Sequence, residues 1–227
     1  MKKITFLLSL ILYALAGISQ TYVISDLSTL SDQYTVDKSG KSGFIVPNID
    51  GSPYLNDDFI VGEVIVEDSI RFELIPLRYN IYNDKMEFKN KNSQVLELGN
   101  STSRYQFHFE DFLFCNQMYS EDGQSKQGIL ELLVDGQVKL FKKYNIELQP
   151  AARAIGFQEA TPDRFVQKEE QYLLAVGKEI PYVFGNPKKL LPVLEKIKPE
   201  VNSYVKTQKL KLRSEKDLIV LIQYCNQ

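Results

Sequence analysis

The 227-residue sequence is short of the side chains on which most enzymes rely. It has one histidine, two cysteines and no tryptophan. Any Ser-His-Asp or Cys-His arrangement would have to use the single imidazole, His108, and a catalytic zinc site usually takes three protein ligands, often several His. No G-x-S-x-G elbow and no glycine loop of the kind that cradles phosphate occurs. Lys and Arg number 27 against 29 Asp and Glu, with both signs spread along the chain. The basic face that nucleic-acid phosphates demand is therefore missing. Beyond the N-terminus no stretch is long and apolar enough to span a bilayer. Internal repeats and low-complexity tracts are absent too.

What is present begins at the N-terminus. Lys2 and Lys3 precede an apolar run from Ile4 to Ile18, broken only by Thr5, Ser9 and small residues. Gly17 and Ser19 occupy the −3 and −1 positions of a cut after Ser19. This three-part layout predicts a cleavable signal peptide over residues 1–19. The run is shorter than the roughly 20 residues of a spanning helix. No Cys lies near the cut, which argues against a lipid-anchored lipoprotein. The expectation is an exported chain, periplasmic or at the cell surface, of about 208 residues after cleavage. Losing Lys2 and Lys3 moves its formal charge from −2 to −4. An oxidising compartment would allow Cys115 and Cys225 to join; two buried free thiols is the competing reading, and the sequence leaves the choice open.

The mature chain is rich in Tyr and Phe, 13 of each, which suits strands. Residues 20–50 lack periodicity and read as an extended N-terminal arm. Residues 51–185 read as an antiparallel β domain. Around Ile70–Lys89 the apolar phase switches between Phe72/Leu74 and Leu77/Tyr79/Ile81, which requires a bulge, placed at Pro76. Asn83-Asp84 is expected as a two-residue turn, setting Ile81 opposite Met86, Tyr79 opposite Phe88, and Arg78 opposite Lys89, a like-charge conflict. A second hairpin is expected to turn at Val134-Asp135-Gly136, pairing Leu132 with Val138, Leu130 with Leu140 and Glu131 with Lys139. Further strands are read at 62–67, 95–98, 104–109, 112–119, 143–148, 166–176 and 179–184, the last two joined around Gly177-Lys178.

From residue 186 the pattern turns helical. Asn186-Pro187 is an N-cap with Pro at the first position, ahead of Leu190, Leu191 and Leu194, with Pro192 limiting that piece. Pro199 starts a second helix carrying Val201, Tyr204 and Val205. Ser214 with Asp217 caps a third, whose stripe is Leu218, Leu221, Ile222 and Cys225. Helices this short are marginal alone and should dock on the β domain. The fold class expected is α+β: an antiparallel barrel or sandwich of roughly nine or ten strands, followed by about three short C-terminal helices over 186–227.

Four constellations invite a functional reading. His108 and Glu110 would share a strand face as an acid–base or metal pair, but one His with one carboxylate falls short of a zinc site. Cys115 follows His108 by seven residues, which does not place them together in space. Asn56-Asp57-Asp58 with Glu63 offers oxygens to calcium but lacks EF-hand spacing, and reads more simply as a turn. Lys206–Lys216 carries five basic residues that could meet an acidic headgroup layer, or form the solvated side of a short helix and its linker. No catalytic residue, metal ligand or cofactor is assigned.

Gly51-Ser52-Pro53-Tyr54-Leu55-Asn56-Asp57-Asp58-Phe59, then Pro76 to Phe88 and the tail Ser214 to Asn226, resemble uncharacterised exported proteins of Bacteroidetes-type bacteria. The resemblance covers roughly residues 51–226. It implies an envelope location and carries over no functional residue. The leading expectation is a soluble, non-enzymatic envelope protein with room for an apolar or lipid-like ligand beneath its helices. The alternatives are an envelope hydrolase using paired carboxylates and a structural module that meets protein partners.

Overall fold

The structure, a computed structural model, describes residues 27–30, 49–98, 103–152 and 161–227. The expected signal peptide and most of the expected arm lie outside the described residues. The strands are β1 (Ile60–Val66), β2 (Ile70–Asn80), β3 (Lys85–Lys89), β4 (Val95–Leu98), β5 (Tyr105–Phe109), β6 (Phe112–Glu121), β7 (Gln124–Val134), β8 (Val138–Lys143), β9 (Ile146–Gln149), β10 (Arg164–Gln167), β11 (Gln171–Val176) and β12 (Tyr182–Val183). Ten of them form one sheet in the order β12-β11-β8-β7-β6-β5-β1-β2-β3-β4, while β9 and β10 pair separately. β12 also pairs in parallel with β6, Tyr182 against Ser120, which closes β6, β7, β8, β11 and β12 into a five-stranded barrel. Twelve strands rather than nine or ten arise because the expected 143–148 and 166–176 segments each break, at the points where the chain leaves the barrel to build the β9–β10 pair.

Successive residues of β6 and β7 enter different cores, as the period of two requires. Cys115 and Leu130 belong to the barrel interior with Tyr119, Phe141, Leu173 and Ala175. Their neighbours Phe114 and Ile129 face the second core, where the β1–β5 half of the sheet supplies Val64, Leu77, Tyr79, Phe88 and Phe107. Leu27 of the N-terminal segment is buried in that same core. Three short helices cover the outer face of β8 and β11: α1 (Leu191–Glu195), α2 (Val201–Thr207) and α3 (Glu215–Cys225). Asn186 caps as expected, its side chain accepting from the Lys188 N–H, but Pro187–Leu190 is a 3₁₀ turn leading into α1. Ser214 accepts from the Asp217 N–H, and Leu218, Leu221, Ile222 and Cys225 are all buried.

Both hairpin registers differ from expectation. The β2–β3 turn takes four residues, Ile81–Asp84, with Asn80 Oδ1 accepting from the Asn83 N–H and Asp84 at φ 54°. Tyr79 therefore faces Met86 and Arg78 faces Glu87, so the expected clash with Lys89 becomes an ion pair of 2.6 Å. The bulge lies at Glu73-Leu74, opposite Glu63, and Pro76 sits in the ladder against Val61. Leu74, expected inward, takes φ 56° and is 80% exposed. At the β7–β8 hairpin the loop is Asp135–Gln137, Leu132 faces Phe141, and Glu131 faces Lys142 instead of Lys139. The register slips once more beyond Leu132, where a bulge precedes Val134.

Candidate functional site

The polar residues buried among strands act first as ties. Arg78 donates from Nε and Nη2 to Glu87 Oε2, and Asn80 Nδ2 donates to Glu87 Oε1. The Tyr54 and Phe59 rings flank the Arg78 guanidinium at 3.7 and 4.3 Å. The segments 51–59 and 76–88 thus meet at this node in a packing contact. Asp84 accepts from Tyr79 Oη, the Ile129 N–H and Lys143 Nζ, fastening the β2–β3 turn to the barrel wall.

Glu131 and Glu215 share Lys142 Nζ at 3.3 and 2.8 Å. Tyr144 Oη donates to Glu131 and Tyr172 Oη to Glu215. Burial pushes both phenols up, Tyr172 to about 12, reinforced by the carboxylates they serve. Burial alone would lower Lys142; its bond to Glu215 and the Glu131 charge hold it above its ordinary value. Two carboxylates held by one ammonium and two hydroxyls form a clamp between β7, β8 and the start of α3. Among the described residues the carboxyls with a displaced pKa, Glu67, Glu121 and Asp135, all shift down, the opposite of what a general acid needs.

The sequence candidates scatter. Glu110 leaves the strand for the β5–β6 turn at φ 50°, while His108 stays in β5 opposite Glu63 and Leu113. Its Nε2 is buried with no hydrogen-bond partner among the described residues. Asp57 takes a bond from Ser52 and offers its carbonyl to Arg78, whereas Glu63 pairs with Arg71. Among the described residues no group of three His, Cys, Asp or Glu could hold a metal ion. Cys115 and Cys225 are free thiols in different cores, the first pushed up by burial to about 12 and the second to about 11. Lys206, Lys209, Lys211, Arg213 and Lys216 are exposed around the α2–α3 loop. No described helix is long and apolar enough to cross a membrane.

The feature with an unspent recognition surface lies where β5 and β12 share one edge of β6. β5 pairs with the first part of β6 and stops at Gln106–Cys115. Asn116 ends that ladder: its Oδ1 accepts from the Tyr105 N–H at 2.6 Å and its Nδ2 donates to the Ser103 carbonyl at 2.9 Å. β12 meets the edge again at Ser120, whose N–H donates to the Pro181 carbonyl. Since alternate residues face the same edge, Met118 points its N–H and C=O into the gap between them. Among the described residues no strand pairs with it there.

The gap opens into a cleft of about 400 Å³, in the range of small-ligand sites. Met118 and Ile180 on its walls are 45% and 53% exposed. Arg104, Lys139 and Lys178 line it against one acid, Glu179. Arg104 already serves Glu67 and Asp68, and Lys139 serves Asp135; Lys178 enters no ion pair among the described residues. The sequence reading passed over Met118, Lys178 and Ile180. The available hint was a length mismatch, because β6 has ten residues and β5 only five. A larger cleft of about 840 Å³ lies between Lys168–Tyr172, Phe184 and the α2–α3 loop.

Comparison with family models, curated proteins and solved structures finds no match to this chain.

Proposed function

We propose that this chain is an exported, non-enzymatic envelope protein that binds a partner through the cleft beside β6. The observation that carries the reading is the Met118 edge, which no described strand pairs although its neighbours on both sides are paired, with Lys178 beside it. Export rests on residues 2–19 and agrees with the resemblance to exported Bacteroidetes proteins. Binding at a surface cleft is favoured over an interior cavity because Tyr119, Leu130, Phe141 and Leu173 fill the barrel, and Leu140, Leu174, Leu194 and Leu221 fill the space under the helices. An apolar ligand would then meet Met118 and Ile180 at the surface. The non-enzymatic reading draws on the engagement of Glu131, Glu215, Asp84 and Glu87 in ties between elements.

The test is amide chemical-shift mapping on the protein recovered from the envelope, titrated separately with lipid and peptide fractions of that envelope. Shifts concentrated at Met118, Lys178 and Ile180 are expected. Turnover of an envelope polymer or ester by the pure protein, or shifts confined to other surfaces, would overturn the reading.

A further inference from the structure

We infer that the α2–α3 connection docks the protein on an anionic lipid headgroup layer. This goes beyond the cleft reading and stands on a different part of the molecule. Charge is segregated along the chain. Residues 186–227 hold nine Lys and Arg against four Asp and Glu, a formal +5, whereas residues 1–185 carry −7. Ion pairing follows the same division. The eight cations that form ion pairs among the described residues all lie between Arg71 and Lys168. None of the nine C-terminal cations is among them.

Lys206, Lys209, Lys211 and Lys216 are exposed together where α2 gives way to α3. Their charged neighbours are largely engaged elsewhere. Arg213 lines a cleft with Glu169 and Glu170, and Glu215 turns to Lys142 and Tyr172. Glu195 and Glu200 belong to the other end of the helix pair, beside Asn202 and Tyr224. Asp217 is the acid that remains, so four ammoniums face outward against one carboxylate. Its Oδ2 accepts from the Lys211 and Leu212 N–H groups at 2.9 and 3.1 Å. The Lys209 N–H donates to the Lys206 carbonyl and the Leu210 N–H to the Val205 carbonyl. The backbone that carries the lysines is thus ordered before any contact, which lowers the cost of binding. None of the four lysines lines a described cleft. The exposed large apolar side chains, Val61, Leu74, Tyr82, Met118 and Ile180, all lie outside residues 186–227. Such a face has neither a pocket for one shaped anion nor a side chain to insert. It suits a continuous layer of phosphates, where each lysine near the surface strengthens binding about fivefold. An exported chain meets that layer on the membrane it has crossed.

The probe is vesicles of equal parts phosphatidylglycerol and phosphatidylcholine, set against phosphatidylcholine alone. Binding of the full protein purified after export is read by co-sedimentation. The anionic vesicles should carry the protein down at low salt and the neutral ones should not. Added sodium chloride should release it, because salt screens exposed charges. Glycerol phosphate at the same phosphate concentration and constant ionic strength should not, since it offers no continuous layer. Lys206→Gln, Lys209→Gln, Lys211→Gln and Lys216→Gln together should weaken binding by at least about a hundredfold, and Lys211→Gln alone by about fivefold. Lys91→Gln, which removes an exposed cation from the β3–β4 turn, should leave binding unchanged. If the fourfold variant fails to fold, Lys211→Gln and the salt and neutral-vesicle arms decide. No binding to anionic vesicles, equal binding to both compositions, indifference to salt, release by glycerol phosphate, or full binding by the fourfold variant overturns the inference. None of these outcomes involves Met118, Lys178 or Ile180, so the cleft reading stands or falls by its own titration.

Discussion

Asp84 is the residue on which the two halves of the sheet lean. It sits in a turn at positive φ, yet it accepts from a phenol, a backbone N–H and an ammonium that belong to β2, β7 and β8. Tyr79 is 1% exposed and Ile129 fully buried, so removing the acceptor strands the Ile129 N–H and leaves Tyr79 Oη only its longer 3.4 Å bond to the Ile129 carbonyl. Asp84→Ala is expected to cost about 2–4 kcal/mol in urea unfolding. Gly128 faces the same carboxylate: a Cβ there would lie 2.5 Å from Asp84 Oδ2, with Tyr119 and Lys143 at 3.1 and 3.2 Å. Gly128→Ala should cost about 1–3 kcal/mol in the native protein. It should cost less in the Asp84→Ala background, because the clashing oxygen is gone. A double-mutant cycle reads that coupling directly, and strict additivity would refute it. The cysteines give a second test at this scale. Burial raises both thiols, so neither should react with a thiol reagent at pH 8 until the protein is unfolded, when two equivalents should react.

At the scale of elements, the C-terminal helix clasps the β7–β8 hairpin through one side chain. Asn226 Oδ1 accepts from the Val138 N–H, and its Nδ2 donates to the Val138 and Asp135 carbonyls, 88 residues back along the chain for Val138. Asn226→Ala should cost about 1–3 kcal/mol and speed hydrogen exchange at the Val138 amide. Unchanged protection there would show that the helix holds without the clasp. Glu121 ties another pair of elements, accepting from Lys126 in β7 and Gln171 in β11. Those bonds hold its pKa below the ordinary 4.5. A depressed folded-state pKa contributes stability above the unfolded value that is lost as pH falls through the folded one. Stability should therefore decline below about pH 4.5, and less steeply in Glu121→Gln.

The helices were legible because their caps and stripes are local: Asn186, Ser214 and Leu218 act within a few residues of their own elements. Hairpin existence was legible as well, but register was not. Two added turn residues at Ile81–Asp84 moved every partner, and Arg78 found Glu87 instead of Lys89. The β6–β7 turn, Asp122-Gly123 at φ 50° and 78°, carries the same Asp-Gly hairpin signal as Asp135-Gly136 and went unread. The cleft was not legible at all, since it exists only because two distant strands stop short on one edge of β6.

For the whole molecule, β6 and β7 are the shared wall. Phe114 and Ile129 belong to one core and Cys115 and Leu130 to the next, so neither core can form without the same two strands. Closure adds a non-local step, because Ser120 must wait for Pro181 and Tyr182 to arrive after the β9–β10 excursion. Non-local pairing of this kind slows folding to roughly the millisecond-to-second range. Sharing also predicts cooperativity. Phe114 is fully buried against Tyr79, Phe109, Phe112 and Tyr144, and Phe114→Ala should cost about 3–5 kcal/mol. Leu130→Ala, on the opposite face of the wall, should cost about 2–5 kcal/mol. In each variant tyrosine near-ultraviolet and helical far-ultraviolet dichroism should fall at one denaturant midpoint, because damage to either core withdraws the wall from both. If Phe114→Ala melts its aromatic signal first while the helices over β8 and β11 persist, the wall is not shared energetically and the two cores are separate folding units.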